Sequence, residues 1–137
     1  MPKRMNPYLN FDGNCADAMR FYASVFGGEA TIMRFSDAPM PPAPGTEQRT
    51  MHAALPVGDT TLMASDTMPG MPFSPGTNVH LSLAFDDEDE QTRIYQALVA
   101  GGSADMPLAQ QFFGRFGALT DRFGVKWMLI VEAPPPS

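Results

Sequence analysis

The sequence is poor in cysteine and in charged residues, which excludes several large protein classes. It contains one cysteine in 137 residues, so an internal disulfide is impossible. Charged residues make up only 18%, and the nine Lys and Arg form no basic cluster. Fifteen Asp and Glu outnumber these basic residues, which gives a net charge of −6. This balance argues against binding nucleic acid through its phosphates.

Long apolar runs are also missing. No stretch approaches the ~20 apolar residues that a membrane span needs, and the N-terminal MPKRMNPYLNF lacks the apolar region of a signal peptide. We therefore expect a cytoplasmic protein without membrane or nucleic-acid partners. Apolar residues make up 44%, which suits a single domain over residues 1–137.

An internal repeat organises the chain. Residues 6–28 align without a gap to residues 80–102 at an offset of 74, with seven identities in twenty-three positions. The matched pairs include Phe11 with Phe85 and the double glycine Gly27-Gly28 with Gly101-Gly102. Each copy predicts a short alternating strand, an acidic turn, an amphipathic helix and a glycine stop. This ungapped alignment predicts that the chain contains a duplicated structural unit.

Each half of the chain predicts the element order β-α-β-β-β. Alternation and turn residues place strands at 6–11, 29–35, 49–57 and 60–66 in the first half, and at 79–85, 103–107, 115–121 and 125–132 in the second. Helices are expected from residue 15 to the first double glycine, with Asn14 as a candidate N-cap, and over 87–100. The first module is thus 6–66, the linker 67–78 and the second module 79–132.

We predict an α+β fold in which the two modules form curved half-barrel sheets around a cleft. One side of each first strand is apolar and should face the helix, so the opposite side should line the cleft. That side carries Asn6 and Tyr8 in the first module and His80 and Ser82 in the second. The four prolines in residues 36–48 exclude a regular element, and this loop is either a lid or a surface excursion. Residues 133–137, APPPS, are expected to form a tail.

Three segments carry a resemblance to a known superfamily: PYLNFDGNCADAMRFYASVFGGE, MHAALPVGDTTLMASD and PLAQQFFGRFGALTDRFGVKW. They resemble the vicinal oxygen chelate superfamily, which includes glyoxalase I, extradiol dioxygenases and bleomycin-resistance proteins. Within it they are similar to the PhnB-like, demethylubiquinone methyltransferase-like branch. The usual Phe-Trp-Gly-x-Arg of that branch reads Phe112-Phe113-Gly114-Arg115 here, and its Asp-Pro-Phe-Gly turn reads Asp121-Arg122-Phe123-Gly124.

The resemblance implies where a divalent metal would bind, and the residues there do not suit one. His80 matches the ligand that opens the second module, whereas the closing positions carry Met63 and Met128 and the first opening position falls near Asn6 or Pro7. Nickel, zinc, iron and manganese sites of this kind need several N and O donors. We expect no metal and no other cofactor. Methyl transfer finds no support either, because both double glycines follow helices instead of opening them.

With metal binding and methyl transfer unsupported, the side chains expected in the cleft favour the binding of a small molecule. The cleft is expected to contain Tyr8, Met63, His80, Phe113, Arg115 and Met128, with Arg115 as a possible anion clamp and Trp127 nearby. We expect a small-molecule binding protein that is a homodimer, as bleomycin-resistance proteins are. The alternative is an isomerase or lyase that uses His80 or His52 with a carboxylate such as Asp66 or Asp121, or a metal. The lone Cys15 is expected to be a buried filler, and the sequence does not name the ligand or the reaction.

Overall fold

The computed structural model describes residues 1–134 and divides into two compact units. Unit 1 is Met1–Ser74 and unit 2 is Pro75–Ser137. The last three residues of the predicted tail lie outside the described residues. In the described part of the chain both α-helices have twelve residues, and no helix has the length and apolar character needed to cross a bilayer.

Unit 1 consists of one mixed four-stranded sheet and one α-helix. Its elements are β1 (Tyr8–Phe11), α1 (Cys15–Phe26), β2 (Thr31–Arg34), a 3-10 turn (Phe35–Asp37), β3 (Thr50–Val57) and β4 (Thr60–Asp66). The strand order is β1-β4-β3-β2. Only β1 and β4 are parallel, and the other neighbours are antiparallel. A parallel pair requires a long crossover, which α1 and the following strands provide.

Unit 2 repeats this architecture. Its elements are β5 (Leu81–Ala84), α2 (Glu88–Val99), β6 (Ser103–Gln111), β7 (Gly114–Thr120) and β8 (Lys126–Glu132), in the order β5-β8-β7-β6. Again the first and last strands of the unit pair in parallel. The β-α-β-β-β order predicted for each half is confirmed, and the chain is an α+β protein with two mixed sheets.

The strand register extends the repeat beyond the matched sequence. Tyr8 pairs with Met63 in unit 1, and its repeat partner Ser82 pairs with Met128 in unit 2. One strand further, Met63 pairs with Ala54 and Met128 with Ala118. Met63 and Met128 therefore occupy equivalent positions, although no ungapped alignment connects them.

Each helix covers one face of its sheet with an apolar stripe. Buried residues of α1 recur at three- and four-residue steps, and the strands beneath add their own: Cys15, Ala18, Met19, Tyr22 and Val25 above Phe11, Ala53, Leu55, Leu62 and Ala64. The corresponding core of unit 2 contains Ile94, Tyr95 and Leu98 with Leu119, Trp127 and Leu129. Burying one such large side chain contributes ~1.5–3 kcal/mol, so these contacts fix which sheet face is hidden.

Two glycines meet backbone requirements of this arrangement. Gly27 ends α1 with a positive φ of 84°, and its N–H donates to the carbonyl oxygen of Ala23 at 2.8 Å. Gly102 precedes β6, where a Cβ atom would collide with the carbonyl oxygen of Thr120. Larger residues would strain the first position and push the backbone apart at the second.

One local prediction was wrong, and another was confirmed in its position but not in its hydrogen bond. Strand β6 continues to Gln111, whereas the sequence predicted a strand at 103–107 and a loop after it. Two register shifts against β7 and Pro107 in mid-strand hide its alternation. Asn14 occupies the N-cap position of α1, but its side chain makes no capping hydrogen bond. Asp66 takes that role: its Oδ1 accepts hydrogen bonds from the N–H groups of Gly13 and Cys15.

Candidate functional site

The sheet face turned away from the helix, here called the outer face, carries the candidate site of each unit. In unit 1 the strand register places the side chains of Tyr8, Asn10, Thr31, Met33, His52, Ala54 and Met63 on this face. Tyr8 is 45% exposed and Met33 41% exposed, while His52 and Met63 are half-buried. The predicted residues Tyr8 and Met63 are therefore direct neighbours on a face open to solvent.

Tyr8 and His52 form the polar contact of this face. The Tyr8 hydroxyl lies 3.2 Å from Nδ1 of His52, and the ring centroids are 5.8 Å apart. Forty-four residues separate the two in sequence. The hydrogen bond engages one ring nitrogen and orients the imidazole, so Nε2 is the nitrogen left for another partner. His52 thus belongs to the candidate site, next to aromatic and thioether side chains.

The outer face of unit 2 is polar at one end and apolar along the middle. Its apolar part contains Met106, Phe116, Ala118, Met128 and Ile130, which the register places on one side of the sheet. Met106 is opposite Ala118, and Ala118 is opposite Met128. The predicted residue Met128 therefore lies in a thioether-lined strip.

The polar end of unit 2 joins four side chains from four strands or their ends: His80, Asp105, Thr120 and Lys126. Thr120 Oγ1 donates to Asp105 Oδ2 at 2.7 Å, and Lys126 Nζ lies 2.8 Å from Thr120 Oγ1 and 3.3 Å from Asp105 Oδ2. The Thr120 hydrogen bond holds the pKa of Asp105 below its usual value. Lys126 adds to this effect through hydrogen bonding and charge, and His80 adds to it through charge alone. His80 is thus within electrostatic reach of a carboxylate.

Arg115 lies on the other side of the second sheet. Its Nη1 donates to Gln91 Oε1 at 3.0 Å and to Thr92 Oγ1 at 2.9 Å, both on α2. The guanidinium is therefore held against the helix and does not lie on the face predicted for it. Trp127 is also on the helix side, buried, with its Nε1 donating to Asp121 Oδ2 at 2.9 Å.

Phe113 lies in the tight connection between β6 and β7. Its ring contacts Phe112 edge-on at 5.2 Å and Phe116 at 5.6 Å between centroids. Phe112 is 95% exposed and Phe116 lies on the outer face. The three rings extend the apolar part of that face to the end of the β6–β7 hairpin.

The two buried carboxylates considered as acid–base candidates have structural partners. Asp66 is 5% exposed, and besides the two bonds at α1 its Oδ2 accepts from the N–H of Thr50 at 2.9 Å. Asp121 is 3% exposed, and its Oδ1 accepts from the N–H groups of Phe123 and Val125. With their oxygens bonded to backbone and indole N–H groups, both hold turns and strand ends together.

Cys15 is a buried filler, as expected. Burial, together with a smaller contribution from the nearby Asp66 carboxylate, raises the pKa of its thiol from 9.0 to about 12. A thiolate is the nucleophilic form of cysteine. The shift therefore removes Cys15 from the candidates for covalent chemistry.

The residues at the superfamily's metal positions do not fit a divalent metal. In unit 1 they are Met63 and the amide of Asn6, whose Nδ2 already donates to the carbonyl oxygen of Thr61 at 3.1 Å. In unit 2 they are His80 and Met128, with the Lys126 ammonium already on Asp105. Within residues 1–134, no group of three or more His, Cys, Asp and Glu side chains could hold a metal ion. Hard divalent ions need several N and O donors, which neither unit supplies.

The proline-rich segment forms an apolar depression of its own within unit 1. It has a volume of about 390 Å³ and is lined by Phe35, Met51 and Met68 together with residues 38–43. Residues 35–37 form the 3-10 turn, in which the N–H of Arg34 donates to Asp37 Oδ2 at 2.9 Å. The segment is folded against β3 in the structure.

Comparisons with known proteins agree with this architecture. The family model described as 3-demethylubiquinone-9 3-methyltransferase matches residues 3–130. Protein PA1353 from Pseudomonas aeruginosa is 41% identical, with a TM-score of 0.87 over 96% of this chain and 98% of its own. The PhnB protein of Bacillus cereus is 27% identical, with a TM-score of 0.75 over 94% and 99% of the two chains.

A more distant neighbour shows the fold alone. The glyoxylase/bleomycin resistance protein/dioxygenase domain from Frankia sp. EAN1pec is 16% identical, with a TM-score of 0.67 over 97% of this chain and 99% of its own. The chain belongs to the 3-demethylubiquinone-9 3-methyltransferase-like, PhnB-like family and has the glyoxalase/bleomycin-resistance fold. The predicted resemblance is confirmed.

The family description names a methyl transfer, which the strand-to-helix connections do not support. The connection from β1 to α1 contains one glycine, Gly13, and that from β5 to α2 contains none. A glycine-rich loop opening a helix is what dinucleotide-type and related cofactor sites use. Both double glycines follow their helices, as expected from the sequence.

The strand patterns missed several residues of the outer faces. Met33 and Met106 are exposed on outer faces, and Asp105, Thr120 and Lys126 form the polar end of unit 2. Alternation from Met128 gives Lys126 directly, because the two are two residues apart on one strand. Asp105 had no such signal, since it falls between two register positions of β6.

Proposed function

We propose that the chain is a cytoplasmic, homodimeric protein that binds a small organic molecule on its outer faces without a divalent metal. One observation carries the proposal. In each unit a sheet face open to solvent presents aromatic, thioether and imidazole side chains, whereas its helix face is filled by the core. A solvent-reachable apolar surface with a few polar groups is the usual setting for a small ligand.

The residues on these faces favour a flat or polarisable ligand. Tyr8, Met33 and Met63 in unit 1 and Phe116 and Met128 in unit 2 provide ring and thioether contacts. Thioether and aromatic groups adapt to flat apolar surfaces. The net charge of −6 favours a cationic ligand over an anionic one. Sequestration of a cationic drug, as in bleomycin-resistance proteins, is the specific form of this proposal.

Metal content is the first test. We would measure metals by elemental analysis in untagged wild-type protein and in His80→Ala, side by side. We expect substoichiometric divalent metal in both. A stoichiometric divalent transition metal that is present only in the wild type would overturn the proposal of a site without a divalent metal.

Ligand binding is the second test. A thermal-shift screen of cationic and neutral aromatic compounds in EDTA should yield ligands that stabilise the wild type. Tyr8→Ala or Met128→Ala should reduce that stabilisation. Arg115→Lys is a matched control, because Arg115 is on the helix side of its sheet. A ligand whose effect depends on Arg115 but not on Tyr8 or Met128 would contradict the proposed faces.

An enzyme is the second candidate function, and the position of His80 favours it. The imidazole contributes electrostatically to the lowered pKa of Asp105, so a His and a carboxylate lie within electrostatic reach of one another. Such a pair can act as a general base in an isomerase or lyase. His80→Gln should then abolish turnover of a bound ligand while leaving its affinity within a few-fold. Loss of binding instead would leave His80 as a ligand contact.

The dimer is proposed from the sheet edges. Each four-stranded sheet ends in two edge strands, and β6 exposes nearly all of its nine residues. Unpaired edges are often covered by another chain. Sedimentation equilibrium should give twice the chain mass of 14.9 kDa. A monomeric mass at micromolar concentration would remove this part of the proposal.

A further inference from the structure

Two methionines flank His52 on the outer face of unit 1. Met33 on β2 is the direct cross-strand partner of His52 on β3. Met63 on β4 is directly opposite Ala54, the next β3 residue on the same face, so it is diagonal to His52. Directly opposed side chains have Cβ atoms ~4.5–5.5 Å apart, and diagonal ones ~7–8 Å. Flexible thioether side chains can span both separations.

Tyr8 determines which nitrogen of His52 is available. Its hydroxyl is 3.2 Å from Nδ1. Histidines that bind metals characteristically have the second ring nitrogen hydrogen-bonded, which fixes the tautomer and the ring orientation. The Tyr8 contact has this arrangement, and it leaves Nε2 as the nitrogen available to a ligand.

This donor set suits a soft cation. Two thioethers and one imidazole match the preference of Cu(I) for soft ligands, whereas hard divalent ions require carboxylates and more N or O donors. Met33 is exposed, and His52 and Met63 are half-buried, so an ion can reach all three from solvent. No Lys or Arg pairs with these three residues in the strand register of unit 1.

We propose that Met33, His52 and Met63 form a site for a soft monovalent cation, Cu(I), bound by two thioether sulfurs and His52 Nε2. The site goes beyond the small-molecule function and does not depend on it. Metal alone is the probe, so the result leaves the organic-ligand proposal to its own test.

Unit 2 provides the control for this site. Met106 and Met128 flank Ala118 across β7, and the position equivalent to His52 is Phe116, two residues before Ala118. Unit 2 also contains His80, but the Lys126 ammonium on the same face opposes a bound cation. Two thioethers without a suitably placed imidazole should bind Cu(I) poorly.

The first experiment is anaerobic Cu(I) titration in competition with bicinchoninate. We expect one Cu(I) per wild-type chain, with affinity reduced at least tenfold in each of Met33→Leu, Met63→Leu and His52→Gln. Leucine has a similar volume and no donor atom. Met106→Leu and Met128→Leu should bind as the wild type does. Equal losses in the control variants, or no loss in the first three, would overturn the site.

The second experiment needs no variant and therefore remains decisive if a substitution prevents folding. Titration of the wild type with Ag(I), a redox-inert analogue, should shift the methyl resonances of Met33 and Met63 and the Nε2 resonance of His52 in NMR spectra. The methyl groups of Met106 and Met128 should stay in place. A wild-type protein that neither takes Cu(I) from bicinchoninate nor shows these shifts has no such site.

Discussion

Asp66 shows how much a single residue can contribute to unit 1. Its two oxygens accept three backbone N–H bonds, which join β4 to the start of α1 and to β3. Asp66→Asn keeps the shape but turns one acceptor into a donor that faces N–H groups. We expect the free energy of unfolding to fall by about 2–4 kcal/mol, since hydrogen bonds to charged groups contribute ~1.5–3 kcal/mol.

Asp12→Asn is the matched control for Asp66. Asp12 is exposed, and its ion pair with Arg49 at 2.9 Å lies at the surface, where such pairs contribute ~0–1 kcal/mol. Urea denaturation of both variants measures the difference. Similar decreases in the free energy of unfolding of the two variants would show that the buried acceptors of Asp66 contribute no more than a surface ion pair does.

Cys15 makes the stability of the protein depend on alkaline pH. Burial raises the pKa of its thiol from 9.0 to about 12, so the unfolded chain loses this proton at lower pH than the folded protein does. Between these values the free energy of unfolding should fall as pH rises, by up to ~1.4 kcal/mol per pH unit. Below pH 9.0 the contribution is complete and constant. Cys15→Ala should flatten this part of the stability curve, measured by denaturation between pH 8 and 11, and an unchanged slope would contradict the assignment.

Alternation along single strands predicted some site residues and misplaced others. Tyr8, Met63 and Met128 share a face with polar or exposed neighbours, and strand parity is enough to find them. Arg115 has the same parity as the buried Leu119, which assigns it to the helix side. The prediction of an anion clamp in the cleft had assigned Arg115 to the opposite side. The Tyr8–His52 contact required the three-dimensional order of the strands, because β4 lies between their two strands.

At the scale of elements, the two helices begin in different ways. The Asp87 side chain caps α2 by accepting hydrogen bonds from the N–H groups of Asp89 and Glu90, both at 3.2 Å. In α1 the side chain at the same position, Asn14, makes no such bond, and Asp66 of β4 serves instead. A helix start can therefore be held by its own chain neighbour or by a strand.

The two caps predict different responses to alanine. Asp87→Ala should lower the free energy of unfolding by about 1 kcal/mol, the usual cost of removing an N-cap side chain. Asn14→Ala should change it by only a few tenths of that amount. Thermal and urea denaturation of both variants check the prediction. A larger loss in Asn14→Ala than in Asp87→Ala would contradict the capping scheme.

Strand β6 marks where element prediction from sequence fails. Helix periodicity and double glycines gave α1 and α2 to within one residue or so, because each signal repeats over three turns. Strand β6 instead contains two register shifts and Pro107, so no period of two survives. Proline and bulges are features of edge strands, and β6 is at the edge of its sheet.

At the scale of the whole molecule, duplication made the fold predictable while divergence of the copies obscured the site. On the outer faces the equivalent pairs Met63–Met128 and Ala54–Ala118 kept their character. The position of His52 in unit 1, however, corresponds to Phe116 in unit 2, and that of Asn6 corresponds to His80. Core positions are constrained by packing and retain the pattern. Outer-face residues are less constrained, and at the positions of His52 and Asn6 the two copies have acquired different chemistry.

The net charge of −6 leads to a prediction about binding that concerns the entire chain. If the ligand is cationic, the negative field of the protein should speed its association. Salt should weaken this effect, because the Debye length falls from ~30 Å at 0.01 M to ~3 Å at 1 M. Metal-free bleomycin in EDTA is a suitable probe. We expect its association rate to fall roughly tenfold or more between these salt concentrations, measured by stopped-flow fluorescence. Binding that is insensitive to salt would exclude electrostatic steering, and no binding at low salt would exclude this class of drug as the ligand.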